Sequence, residues 1–205
     1  MGLRARKKRQ TREAIADAAA ELFARRGFEA VTVDEVASLA DVSRQTVFNY
    51  FRSKEEMLFD RDAEVEAALI GALVDRPPGT TVVDVFRAHT REFWDRQRAI
   101  GMPPHGFWAI VESSPALRDY SEATFARHGR SVARVLAAER GAPTDDAGCH
   151  ALARMLCGVN VAALTCGLHR LARGDDAAAV AREMVAEADR AYALIERGLV
   201  SAGGR

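Results

Sequence analysis

Cysteine is scarce in this chain, with three residues in 205, an odd number without framework spacing. That argues against a disulfide-stapled secreted scaffold and for a reducing cytoplasm. Placed on one helix at about 100° per residue, Cys149, Cys157 and Cys166 point in different directions and cannot share a metal. Aromatics make up 7% of the residues and β-branched runs are few. Alanine and leucine are abundant instead, so an all-α protein is the expected class. No apolar run approaches the length of a membrane span, and the basic N-terminus is not followed by the apolar core of a signal peptide; no membrane association is expected. No nucleophile paired with a base, metal cluster, dinucleotide loop, phosphate loop or zinc-protease motif occurs. The chain is therefore not expected to be an enzyme, nor to carry a cofactor or metal. Net charge is also absent, with 29 basic against 29 acidic residues. Any affinity for nucleic acid must then come from local clustering, and Arg4, Arg6, Lys7, Lys8, Arg9 and Arg12 all precede the first acidic residue, Glu13.

What is present is a run of short capped helices between Thr32 and Lys54. Thr32 with Glu35, and Ser53 with Glu56, fit the S/T-x-x-E capping box, and Ser43 stands where a cap for a middle helix is needed. Apolar residues at 33, 36, 37 and 40 recur with helical spacing, and Val47 and Phe51 repeat four apart. Two helices of about two turns, joined by Ala40-Asp41-Val42, have the dimensions of a helix-turn-helix. Asp41 in that turn is among the few non-glycine residues that tolerate positive φ. With Val47 and Phe51 facing inward, Arg44, Gln45, Thr46, Phe48, Asn49 and Tyr50 are left for a DNA groove and its walls. Arg44 has the geometry to pair with guanine O6 and N7, and Gln45 with adenine N6 and N7.

The run SRQTVFNYFRSKEEML resembles the recognition helix and following helix of TetR-type transcriptional regulators. The upstream TREAIADAAAELFARRGFEAVTVDEVA resembles that family's first helix and its exit. The resemblance is specific over roughly residues 10–60. It implies that Arg44 reads a base, that Thr46 contacts phosphate, and that Tyr50 meets the backbone with its polar tip. Phe48 falls where the family usually has Tyr, so a hydroxyl contact there is lost. Lys54 stands at a helix start, where its charge and the helix-end amides favour phosphate. Thr32 and Ser43 complete the candidate DNA-binding set.

Around this stretch, residues 1–9 read as a disordered basic arm, either a solvated tail or one that adds phosphate contacts or reaches a minor groove, and Thr11–Arg26 as a helix with Ile15, Ala18, Ala19, Leu22 and Phe23 on one stripe. Gly27 ends it, and Phe28 is expected to pack back onto its end. A long helix is read from Lys54 to about Arg76, stopped by Pro77-Pro78-Gly79. Val82, Phe86, His89, Phe93 and Ile100 form a stripe on a helix over about 81–100. His89 within it is either a satisfied core residue or a polar contact in a pocket. A turn at Met102–His105, a short apolar segment around Trp108 closed by Pro115, and a helix over about 116–140 follow. On that helix Tyr120, Thr124, His128 and Ser131 share one side, facing either solvent or a partly polar cavity. The last two helices, about 145–172 and 176–200, carry wide apolar stripes. Leu152, Met155, Leu156, Val159 and Ala163 mark the inner face of the first, with Gly158, Ala162 and Ala163 small enough for close approach of another helix.

The expectation is a DNA-binding domain over 1–55 and a ligand-binding and dimerisation domain over 56–205. The family resemblance implies a one-component repressor that binds double-stranded DNA at a palindromic operator as a homodimer. A small, largely apolar effector would release it, with His89, Phe93, Trp108, Tyr120 and Met155 as candidate contacts. The alternatives are a thiol response through Cys149 or Cys166, or a C-terminal domain that binds a protein partner.

Overall fold

The structure, a computed structural model, describes residues 2–100 and 105–203. Its described elements are all α-helices: α1 (Leu3–Arg26), α2 (Val33–Leu39), α3 (Arg44–Tyr50), α4 (Lys54–Leu58), α5 (Asp62–Val74), α6 (Val82–Ile100), α7 (His105–Ser113), α8 (Pro115–Arg140), α9 (Ala147–Ala172) and α10 (Ala177–Gly203). They form two compact units, Met1–Ala63 with Gly106–Ser121, and Glu64–His105 with Glu122–Arg205. The turn expected at Met102–His105 lies outside the described residues except for His105, whose backbone opens α7.

In the first unit α1 presents Ile15, Ala18, Ala19 and Phe23 to a core shared with Val36, Val47, Phe51 and Met57. Val111 on α7 and Leu117 on α8 are buried in that same core. Phe28 turns back onto Phe23, their ring centroids 5.0 Å apart and edge-on. Gly27 leaves the helix at φ +80, a region that favours glycine. The basic arm does not form a separate disordered tail, because α1 begins at Leu3. Arginine, lysine, glutamine and alanine are good helix formers and no breaker stands between Gly2 and Gly27, so the helix propagates through them.

The long helix expected after Lys54 is also interrupted. α4 ends at Leu58, and Phe59 leaves helical geometry at φ −100 and ψ 33. The Phe59 ring sits 5.3 Å from Phe107 and 5.1 Å from Tyr120, within the same unit. Arg12 takes up the backbone oxygens that such breaks leave unpaired. Its guanidinium donates to the Tyr50 carbonyl at 2.7 Å and the Asp60 carbonyl at 3.3 Å, and lies 4.2 Å above the Phe51 ring.

In the second unit α10 packs on α9 and α6, and α6 touches α9. The buried face of α6 is Val83, Phe86, Thr90 and Trp94. His89 and Phe93 are half-buried, so the inward stripe is rotated from the one expected. Trp94 decides that rotation. It is 2% exposed and lies over Gly167 of α9, where an added Cβ would stand 2.3 Å from the indole. Within the unit the close approach occurs at Gly167, while Gly158 and Ala162 are exposed. Met155 is likewise outside the inner face, at 48% exposure beside buried Leu152 and Leu156. Ala147–Leu171 is long and apolar enough by composition to cross a membrane, a property its interspersed polar residues concealed. Here Leu152, Leu156, Ala163 and Leu168 are buried in the unit's own core. An ionic ladder joins α6 to α10: Arg87 binds Glu196 through two hydrogen bonds of 3.1 and 2.7 Å, and Arg91 reaches Asp189 at 3.2 Å.

Gly167→Ala should destabilise the second unit by about 1–3 kcal/mol, since a methyl there overpacks a ring with no free space. Urea unfolding followed by Trp94 fluorescence, in a Trp108→Phe background, measures it. An unchanged midpoint would contradict the packing described.

Candidate nucleic-acid interface

The candidate reading surface is built on α3, a helix of seven residues held from both ends and from beneath. At its start the Ser43 hydroxyl accepts from the Thr46 N–H at 3.0 Å and lies 2.8 Å from the Thr46 hydroxyl. Beneath it Val47 and Phe51 are fully buried. The turn before it holds Asp41 at φ +54, the left-handed conformation expected there. Thr32 and Glu35 make the complete capping box that opens α2. The Glu35 carboxyl is held down to about 2, first by the Thr32 backbone N–H, then by the Arg26 guanidinium and the Thr32 hydroxyl. At α4 the box is half made. Ser53 accepts from the Glu56 N–H at 3.3 Å, while the Glu56 carboxylate takes the N–H of Arg52 instead.

With Val47 turned inward, Ser43, Arg44, Gln45, Phe48 and Asn49 are exposed, and Thr46 and Tyr50 are half-buried. The structure thus gathers the α3 candidates on one surface. Gln45 donates to Asn49 at 3.3 Å, which aligns two amides along it. Arg44 donates to Asp34 of α2 at 2.6 Å and lies 5.5 Å from the Phe48 ring. Asp34 has no motif to mark it, because the pairing depends on how α2 crosses α3. Lys54 is half-buried and serves the head's own architecture. Its ammonium donates to the carbonyls of Phe28 and Val31 at 2.7 and 3.0 Å and sits 4.0 Å from the Phe28 ring. That closes the loop between α1 and α2 and engages two of three N–H donors.

The candidate effector contacts divide between the units. Trp108 and Tyr120 belong to the first, joined through Phe107 and Phe59 in a chain of ring contacts of 5.1–5.3 Å. His89, Phe93 and Met155 belong to the second. Burial pushes the His89 pKa down, opposed in part by the nearby charge of Glu92. An open groove of about 670 Å³ in the second unit is lined by apolar residues that include Val82, Val83, Leu152 and Leu156 and by the charged Arg140, Glu196 and Arg197. None of the five candidates lines it. Of the polar stripe on α8, Thr124 and Ser131 are buried. Cys149 is buried and its thiol is pushed up by burial and by Asp146, Cys157 is pushed up to about 11 by burial, and Cys166 is exposed.

Residues 15–60, which contain this whole surface, match the model of bacterial regulatory proteins of the tetR family. The HTH-type transcriptional regulator TcmR of Streptomyces glaucescens is 32% identical over 152 residues, 71% of this chain and 67% of its own. The chain belongs to the TetR family. MftR of Mycobacterium tuberculosis is 28% identical over 141 residues, 69% of this chain and 71% of its own. Among solved structures, FadR of Thermus thermophilus, a TetR-family transcriptional repressor in complex with lauroyl-CoA, superposes with a TM-score of 0.56. It is 26% identical, with 91% of this chain and 94% of that chain covered. The protein is accordingly a DNA-binding transcriptional regulator rather than an enzyme.

Exposed ion pairs are worth about 0.2–1 kcal/mol, so the Arg44–Asp34 bridge restrains the guanidinium only lightly. Asp34→Asn, which releases it and removes a carboxylate beside the groove, should tighten DNA binding by about two- to fivefold. A mobility-shift titration decides it, and weaker binding would mean that Asp34 positions Arg44 for its base.

Proposed function

We propose that this TetR-family protein is a repressor that reads a palindromic operator as a homodimer and is released by a small, largely apolar effector. The observation that carries the reading is the single exposed face of α3, with Arg44, Gln45, Phe48 and Asn49 projecting from a helix whose rotation Val47 and Phe51 fix. In the proposed complex Arg44 pairs with guanine and Gln45 with adenine, while Phe48 meets a thymine methyl. Asn49 lies beside them on the groove wall. Thr46 and Tyr50 contact phosphate, Thr32 and Ser43 hold the helix starts that face the backbone, and Lys54 adds positive charge there. The basic first turns of α1 oppose their own helix dipole, a conflict that nearby phosphates would relieve.

The functional division proposed is 1–55 for DNA and 56–205 for effector and dimer. Exposed Leu194 on α10, at 63%, offers an apolar anchor for a second copy. The effector contacts proposed are His89, Phe93, Trp108, Tyr120 and Met155. The lauroyl-CoA bound by the Thermus thermophilus relative supports an effector with a large apolar part. Release follows if the effector binds one conformation better than another. Because Val111 lies in the head's own core, a shift of α7 would act on the packing beneath α3. In the thiol alternative Cys149 is poorly placed, being buried with a raised pKa, which leaves the exposed Cys166 as its candidate.

A palindrome upstream of the protein's own or a neighbouring gene, retarded in a mobility-shift assay, is the first test. On that site Arg44→Ala should cost about 1–3 kcal/mol and relax preference at one base pair. Lys54→Ala should weaken binding to every sequence and lower the salt slope by about 0.9. Identical behaviour of both variants on cognate and scrambled DNA would refute the division of roles. For the dimer, Leu194→Glu should give a monomer in sedimentation and abolish the shift. A persistent dimer would remove that face from the interface.

A further inference from the structure

The second unit contains a polar cluster between α5 and α8 that its own packing does not fully satisfy. Glu66 on α5 accepts from the Ser131 hydroxyl at 2.5 Å through Oε1. Its Oε2 lies 3.6 Å from Arg127 Nε, an ion-pair distance, and 3.9 Å from His128 Nε2, both longer than a hydrogen bond. One turn before His128, on the same face of α8, stands Thr124. It is 3% exposed, and its hydroxyl has no hydrogen-bond partner among the described residues. Threonines inside helices usually bond back to a carbonyl one turn earlier. Thr11 does so to Lys7 at 3.1 Å and Thr165 to Val161 at 2.5 Å. Thr124 does not, and a buried hydroxyl left without a partner is a standing cost to the fold.

We propose that Thr124, His128 and Glu66 form the polar end of the effector site, and that the effector carries an uncharged hydroxyl head on its apolar body. The choice of head follows from what each group lacks. Thr124 needs a group that accepts its proton or donates to its oxygen. Glu66 accepts and never donates while ionised. A hydroxyl head donates to the carboxylate and accepts from the threonine at once. A carboxylate head would be repelled by Glu66. An ammonium head would leave the Thr124 proton unpaired and face Arg127. The inference rests on the small-molecule reading given above and specifies the chemistry of that ligand.

The test uses the full chain and three probes with one apolar body, 1-decanol, decylamine and decanoate, each below its micelle-forming concentration, with calorimetry for affinity. Wild type should bind decanol about tenfold or more tighter than the other two, and Thr124→Val should lose that preference. The same substitution should raise the melting temperature of the unliganded protein by about 2–4 °C, because it removes an unpaired polar atom without changing shape. Equal binding of the three heads, undiminished decanol preference in Thr124→Val, no binding of any probe, or an unchanged or lowered melting temperature each overturns the proposal. Displacement of DNA is read separately by mobility shift on wild type. Effector release can thus stand while the hydroxyl assignment falls, or fail while decanol still binds.

Discussion

Burial of Val47 and Phe51 is the constraint on which the reading head depends. A helix of seven residues is too short to persist in water by its own hydrogen bonds. It exists because two side chains one turn apart are fully enclosed by α1, α2 and α4 of the same core. Enclosing them also sets the rotation of α3, so the residues that face outward follow from the residues that cannot. The clamps work on what remains. Arg12 takes the carbonyls at the end of α3 and beyond α4, and Lys54 takes those between α1 and α2. Two cations are thus engaged with backbone oxygen atoms, and in the proposed complex the bases are read by side chains of α3 that make few internal contacts.

This is also why the head was largely legible from sequence and the second unit was less so. Caps, a tight turn and a four-residue apolar repeat are local, and Thr32, Ser43, Asp41, Val47 and Phe51 all stand as those rules require. The half-made box at Ser53 departs from the rule because Glu56 is near enough to Arg52 to choose its N–H. The break at Phe59 was not legible. Nothing in Lys54–Arg76 forbids a continuous helix, and the ring contacts of Phe59 come from residues some fifty to sixty positions later. On α6 the periodicity located the helix but not its rotation. Trp94 and Gly167 had to meet for the inward face to be known, and their seventy-three-residue separation carries no local signal.

The interior of the second unit is polar in a selective way. Thr90 joins Asn160 at 3.0 Å and the Tyr192 hydroxyl at 3.1 Å, linking α6, α9 and α10. Burial pushes the Tyr192 hydroxyl up to about 12, so it stays a neutral partner in that network. Such a closed set of hydrogen bonds adds register to three helices whose apolar stripes alone would tolerate sliding. Thr124 belongs to no such set. A satisfied network and an unsatisfied hydroxyl in one unit separate what holds the fold from what waits for a partner.

Electroneutrality then shapes how the head can discriminate. With 29 charges of each sign, the chain as a whole gives little sequence-independent attraction to a polyanion. In the proposed complex that attraction comes from the first turns of α1, the edge of α3 and Lys54 at the start of α4. In the proposed complex the base contacts must therefore supply a larger part of the affinity than in a uniformly basic protein. The pairing of Arg44 with Asp34 works against this discrimination. On a mismatched site the guanidinium keeps its carboxylate and gains nothing by leaving it. On the matched site a bidentate base edge offers two hydrogen bonds for one exposed bridge. In the proposed complex the bridge is given up only where the base is right, so the acidic neighbour subtracts the bridge's worth from the operator and not from the background, and the ratio between them narrows by that amount.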